Sequence, residues 1–156
     1  MYNKIMVPLD GSELAECVLP HVEAFISQCQ IHEIVFVRVI ESITPAVAGE
    51  YAINMEDLER REEARKSDAE KYLKSIIDRM TPGETKLETN VLVGRASDKL
   101  ADYAESNDVD LILMATHGRS GVSRWVRGSV ADRILRAASV PVLMVRAPGT
   151  MGEKQV

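Results

Sequence analysis

The residues with the plainest capacity for chemistry run from Leu111 to Ser129, LILMATHGRSGVSRWVRGS. A short apolar run, Leu111 to Met114, has the pattern of a strand buried on both faces. It opens into a stretch holding Gly118, Gly121 and Gly128, and Ser129 then precedes Val130, Ile134, Leu135 and Ala138 at helical spacing. Ser129 suits the N-cap of that helix, with Asp132 three residues on as a capping-box partner. Free N–H groups at a helix start, together with the positive end of its dipole, favour a phosphate. The local charge agrees. From Leu111 to Arg146, six arginines (119, 124, 127, 133, 136 and 146) accompany one acid, Asp132, a balance of +5 in a chain whose total is -5. A small anion fits such a patch better than a polynucleotide, which calls for a wider basic face and a basic chain, and the pI is about 5.3.

Strand and helix signals alternate on either side of this stretch. Lys4 to Leu9 reads as a strand, and Asp10-Gly11-Ser12-Glu13 supplies the turn into a helix carrying Leu14, Val18, Val22, Ala24 and Phe25. Asp10 and Glu13 have the spacing of an Asp-x-x-Glu capping box, a role compatible with a ligand role for Asp10. Glu33 to Ile40 is a second strand, and residues 42 to 54 form a loop long enough to serve as a lid or contact surface. Glu56 to Met80 reads as a long helix. Its first half is nearly all charge, with pairs such as Glu62 and Lys66, but Leu58, Ala69, Tyr72, Leu73, Ile76, Ile77 and Met80 keep an apolar stripe. Leu87 to Val93 is a strand, and the following helix contains Leu100, Ala101, Tyr103 and Ala104. After the strand at 111 to 115 and the helix at 129 to 139, Pro141 to Val145 is the last strand. Strands and helices in strict alternation imply parallel pairing with right-handed crossovers. Ligands of such sheets sit beyond the carboxyl ends of the strands, where the strand order reverses. Adjacency of the first and fourth strands would bring Asp10 and the glycine loop to one crevice.

The totals bound the rest. A chain of 156 residues with no shift in composition is one domain with a substantial core. Hydrophobic content of 46% with few aromatics points to the Val, Ile, Leu, Met and Ala core of a helix-covered parallel sheet. No apolar run approaches the ~20 residues of a membrane span, and the N-terminus lacks a signal-peptide core, so a cytoplasmic protein that engages no membrane is expected. Cys17 and Cys29, both in the first predicted helix, are expected to be reduced packing residues. His21 and His32 read as structural or surface residues.

Four features in order make the sequence resemble the universal stress protein family, with the resemblance running from Lys4 to Arg146. They are VPLDGS at the end of the first strand, RVIE at the end of the second, PVLMVR as the last strand, and a loop of the form G-x2-G-x9-G-[ST] after the fourth. Here that loop runs from Ala115 through Gly118 to Gly128 and Ser129, with alanine in the first small position. The resemblance implies a universal stress protein domain over 1–147, and the polar, glycine-containing segment that follows reads as a disordered tail at 148–156. The implied fold class is α/β: a single-domain Rossmann-like (adenine nucleotide alpha-hydrolase-like) open five-stranded parallel sheet, order 3-2-1-4-5, with helices on both faces. It also implies an adenine nucleotide, ATP or ADP or AMP, in the crevice. Pro8, Leu9 and Asp10 would line adenine and ribose, the Val39 backbone would read the adenine edge, and Met114 and Ala115 would sit beside the ribose. Gly118, Arg119, Gly128, Ser129 and Val130 would cradle the phosphates, and His117 joins this loop as a shaping hydrogen-bond group. Alanine takes a positive φ only at a cost, which matters if position 115 requires one. Trp125 is expected to pack near the loop or at a dimer contact.

Three functional readings follow: a nucleotide-binding regulatory, stress-response homodimer; a slow ATP hydrolase; and a stress-family dimer that binds protein partners without a nucleotide. The first is preferred. No GxxxxGK[ST] loop is present, no GxGxxG follows the first strand, and His117 has no recognisable catalytic partner in the sequence. Any Mg2+ would be held mainly by the phosphates, because no cluster of carboxylates predicts a protein-built site. The homodimer is expected to form through strand 141–145, where Pro141 is compatible with a sheet edge. Nucleic acid is not an expected partner.

Overall fold

A computed structural model describes residues 2–42, 54–116 and 130–146. Five strands, β1 (Lys4–Pro8), β2 (Glu33–Ile40), β3 (Lys86–Val93), β4 (Leu111–Ala115) and β5 (Val142–Val145), form one sheet in the order β3-β2-β1-β4-β5. Every pairing is parallel. The alternation of strands with α1 (Leu19–Gln28), α2 (Met55–Asp78), α3 (Ala96–Ser106) and α4 (Val130–Ala137) is the one the sequence pattern requires.

Side-chain alternation along the central strands divides the core in two. Ile5, Val7, Ile34, Phe36, Leu111 and Leu113 face one side, where Val18, Val22, Leu73 and Ile76 from the α1 and α2 region meet them. Met6, Val35, Val37, Ile112 and Met114 face the other, against Leu100, Ala104, Ala131 and Ile134 from α3 and α4. Ile5, Met6 and Val7 are wholly buried. Each such side chain contributes roughly 1.5–3 kcal/mol by leaving water, so the middle of the sheet is the rigid base on which the strand ends are placed.

Several local details differ from the sequence reading. Pro20 lacks an N–H and occupies the first turn of α1, and a 3-10 turn, Ala15–Val18, leads into that helix. The 3-10 turn has Leu14 at its N-cap without a side-chain cap bond, and the N–H of its first residue, Ala15, donates to Ser12 Oγ at 3.2 Å. The charged half of α2 carries ion pairs Asp57–Arg60 and Asp68–Lys71 at i,i+3 instead of Glu62–Lys66. Its N-cap is Asn54, whose side chain accepts from the Glu56 N–H at 3.1 Å. Cys17 packs partly against the first core cluster, and burial pushes its thiol pKa up. Cys29 is exposed at the C-cap of α1, so it is not a packing residue. Among the described residues, no helix is long and apolar enough to cross a membrane.

Candidate functional site

The strand order reverses between β1 and β4, and there the sheet comes apart. Their register pairs Ile5 with Leu111 and Met6 with Ile112, whereas β4 continues alongside β5 as far as Ala115 with Val145. The result is a crevice at the carboxyl end, with Leu9 and Asp10 on one side and Leu113 to Ala115 on the other. Crevices of this kind are where open α/β sheets receive ligands.

Backbone alternation determines what the crevice offers. In a parallel ladder the N–H and C=O of one residue turn to the same neighbour, and the next residue turns to the opposite one. Val37 O accepts from the Leu9 N–H at 2.9 Å, so odd-numbered residues at the end of β2 face β1, while Ile40 O accepts from Gly94 N at 2.9 Å on the β3 side. Val39 therefore turns its N–H and C=O toward the β1 side, beyond Pro8, the last paired residue of β1. A donor and an acceptor so placed match the edge of a planar heterocycle. On β4, Ile112 N donates to Pro141 O and Thr116 N to Val145 O, which leaves Ala115 directing its backbone groups toward the crevice. Ala115 ends a strand and has no positive φ, since Asp108 is the only non-glycine residue with one among the described residues. Alanine is therefore accommodated at 115 without backbone cost.

The Asp10 side chain forms an Asx turn. Its Oδ1 accepts from the Ser12 N–H at 2.9 Å and from Ser12 Oγ at 2.6 Å. Gly11 follows at φ +85°, a conformation that costs other residues dearly. Beside it lies a group the sequence reading missed, Arg38. A β-carbon on Gly11 would lie 3.1 Å from Arg38 Cζ and Nη2 and 3.2 Å from Nη1, so the guanidinium is face-on to this glycine. Its Cζ is also 5.2 Å from the centroid of the Tyr72 ring, within cation–π range. The Tyr72 hydroxyl donates to Glu16 Oε1 at 3.1 Å, and Arg79 Nη2 donates to Glu16 Oε2 at 2.9 Å. Burial, followed by the Glu16 carboxylate, raises the Tyr72 pKa, which keeps the phenol protonated and donating. The RVIE motif did mark this place, but through Val39; nothing in the spacing connected Arg38 with Gly11 or with a tyrosine on α2.

Of the residues singled out from the sequence, Pro8, Leu9, Asp10, Val39, Met114 and Ala115 meet at this end of the sheet. Leu9 and Met114 are buried, and their side chains belong to opposite core clusters, so what they bring to the crevice is mainly backbone. Val130 opens α4 and is 41% exposed. His117, Gly118, Arg119, Gly128 and Ser129 lie outside the described residues, as does the segment 43–53 and everything from 147 on. Asp132 reaches forward along α4 to Arg136 Nε at 3.2 Å. Among the described residues, no group of three or more His, Cys, Asp and Glu side chains is placed to hold a metal ion.

The model of the universal stress protein family matches residues 1–146, and the chain belongs to that family. Universal stress protein MJ0577 of Methanocaldococcus jannaschii is 28% identical over 156 residues, covering 94% of this chain and 96% of its own. The solved structure of MJ0577 superposes with a TM-score of 0.80 at 27% identity, covering 96% of this chain and 99% of that one. Two more distant structures share the fold. A universal stress protein in complex with cAMP has a TM-score of 0.65 at 20% identity, covering 94% and 98% of the two chains. An Arabidopsis thaliana family member with AMP bound has a TM-score of 0.63 at 16% identity, covering 94% and 93%.

Proposed function

We propose that this protein binds an adenine nucleotide, ATP or ADP or AMP, in the β1/β4 crevice and acts as a cytoplasmic, regulatory stress-response homodimer. The observation that carries this reading is the position of Val39: its backbone donor and acceptor turn toward the space where β1 has ended, opposite the backbone of Ala115. The proteins of this fold solved with cAMP and with AMP support the same ligand class. In this reading adenine lies against Val39, the ribose lies near Asp10 and Ala115, and the phosphates extend toward the loop of Gly118, Arg119, Gly128 and Ser129. A Mg2+ ion is held mainly by the phosphates. The nucleotide's higher affinity for one arrangement of the surrounding loops changes the surface presented to a protein partner. Turnover is slow or nil in this reading, since the sequence holds no P-loop lysine to reach a terminal phosphate.

Titration calorimetry with ATP, ADP and AMP tests the reading, with binding expected in the micromolar range or tighter. No heat, and no competition against a fluorescent adenine analogue at millimolar concentration, would leave the nucleotide-free dimer as the better account. Hydrolysis above about 1 per second, and dependent on His117, would make the protein an ATPase.

A further inference from the structure

We propose that Arg38 is the positioning residue of the crevice: stacked between the Gly11 backbone and the Tyr72 ring, it sets the Asp10 turn against α2 and so tunes nucleotide affinity. The inference rests on the nucleotide reading for its ligand, and on the described residues alone for its geometry. Three observations carry it. Arg38 projects from β2 one residue before Val39, and its guanidinium is face-on to Gly11, one residue after Asp10. The same guanidinium lies over Tyr72 of α2, and Tyr72 is itself held through Glu16 to Arg79. Gly11 is at φ +85°, which favours glycine, and a β-carbon there would lie tight against the guanidinium.

The arrangement has a chemical logic. A planar guanidinium can lie flat on a peptide and an aromatic ring at once, which an ammonium on a flexible stem cannot do. The Asp10 turn is short and polar, closed on itself through Ser12. It gains an outer wall where Arg38, itself backed by Tyr72, lies against Gly11. Motion of α2 past the sheet would therefore reach the ribose-facing carboxylate through this stack, while Val39 stayed held in β2.

The test has a ligand-free arm and a ligand arm. In the free protein, Arg38→Met and Tyr72→Leu should speed hydrogen exchange at the Ser12 and Ala15 amides, whose bonds close the turn, while exchange in the middle of β1 stays unchanged. Unaltered protection of Ser12 and Ala15 in folded variants overturns the positioning role, whether or not a nucleotide binds. In calorimetry with AMP, Arg38→Met and Arg38→Lys should each weaken binding about tenfold. In an Asp10→Asn background, Arg38→Met should cost nothing further, because it acts through Asp10. Wild-type affinity in Arg38→Met, or losses that multiply in the double variant, refutes the inference while leaving the nucleotide reading intact. A wild type that binds no adenine nucleotide refutes that reading and the tuning with it, and the amide exchange still decides whether Arg38 sets the turn.

Discussion

At the amino end of the sheet, the Asp110 carboxylate accepts from the backbone N–H groups of Asn3 and Lys4 at 2.8 and 2.9 Å. At the carboxyl end, the Asp10 carboxylate accepts from Ser12 next to a glycine with positive φ and an arginine stacked on it. The first arrangement closes the sheet: it ties the start of β1 to the residue before β4, and Lys4–Glu33 at 2.7 Å with Lys86–Glu33 at 3.8 Å continues the tie across β2 and β3. The second leaves the sheet open between β1 and β4 and borders the opening with backbone groups and a glycine turn. One carboxylate thus satisfies the strand to which it is tied, and the other shapes a loop beside an opening. The amino end is tied for stability, and the carboxyl end is where the proposed function places recognition.

Substitutions at the two ends should therefore separate in their effects. The largest loss of binding is expected for Gly128→Val, in the motif loop beyond the described residues. A branched side chain in phosphate space should abolish detectable nucleotide binding by calorimetry with little change in unfolding, and normal binding would remove the phosphate assignment. Asp110→Ala should do the reverse. It is expected to lower stability by about 1–2 kcal/mol in urea unfolding and to leave nucleotide affinity at the wild-type value.

The pH dependence follows from the same two bonds. The backbone N–H groups of Lys4 and Asn3 hold the Asp110 carboxyl below its ordinary range. A depressed carboxylate stabilises the folded chain fully above its unfolded pKa of about 3.9. That contribution is lost as pH falls through the lower, folded value. The stability difference between wild type and Asp110→Ala should accordingly be constant from neutral pH to about pH 5 and shrink below pH 4; a gap that widens on acidification would contradict the assignment.

The edge of β5 allows a sharper comparison. Pro141 O and Val145 O accept from β4, so odd-numbered residues of β5 turn inward, and Val142 and Met144 direct their N–H groups to the open edge. Leu143→Pro would damage the β4–β5 pairing, whereas Met144→Pro removes only an outward donor. If the proposed homodimer pairs through this strand, Met144→Pro should shift sedimentation equilibrium toward monomer while urea unfolding at low concentration stays near wild type. A dimer indifferent to Met144→Pro would place the interface elsewhere. The smallest effect belongs to Lys4→Met. Its ion pair with Glu33 is largely shielded, with both side chains 21% exposed, and the glutamate raises the lysine pKa. The change is expected to be within about 1 kcal/mol and to diminish in high salt.

The sequence by itself determined which segments become strands and helices and which strand ends carry the special residues. The continuous apolar runs in Lys4–Pro8, Glu33–Ile40 and Leu111–Ala115 specify burial on two faces because a strand's side chains alternate with period two. Motif order was enough to name Asp10, Val39 and Ala115. It did not show how they are placed, because a side-chain type carries no information about where a backbone N–H points. Only the tertiary structure decided that: β1 stops at Pro8 while β2 runs on to Ile40, so Val39 turns its backbone groups past the end of β1. Tertiary structure alone also brought Arg38, Gly11 and Tyr72 together. Their contact depends on the packing of α2 over β2, a relation between segments far apart in the chain that no local periodicity encodes.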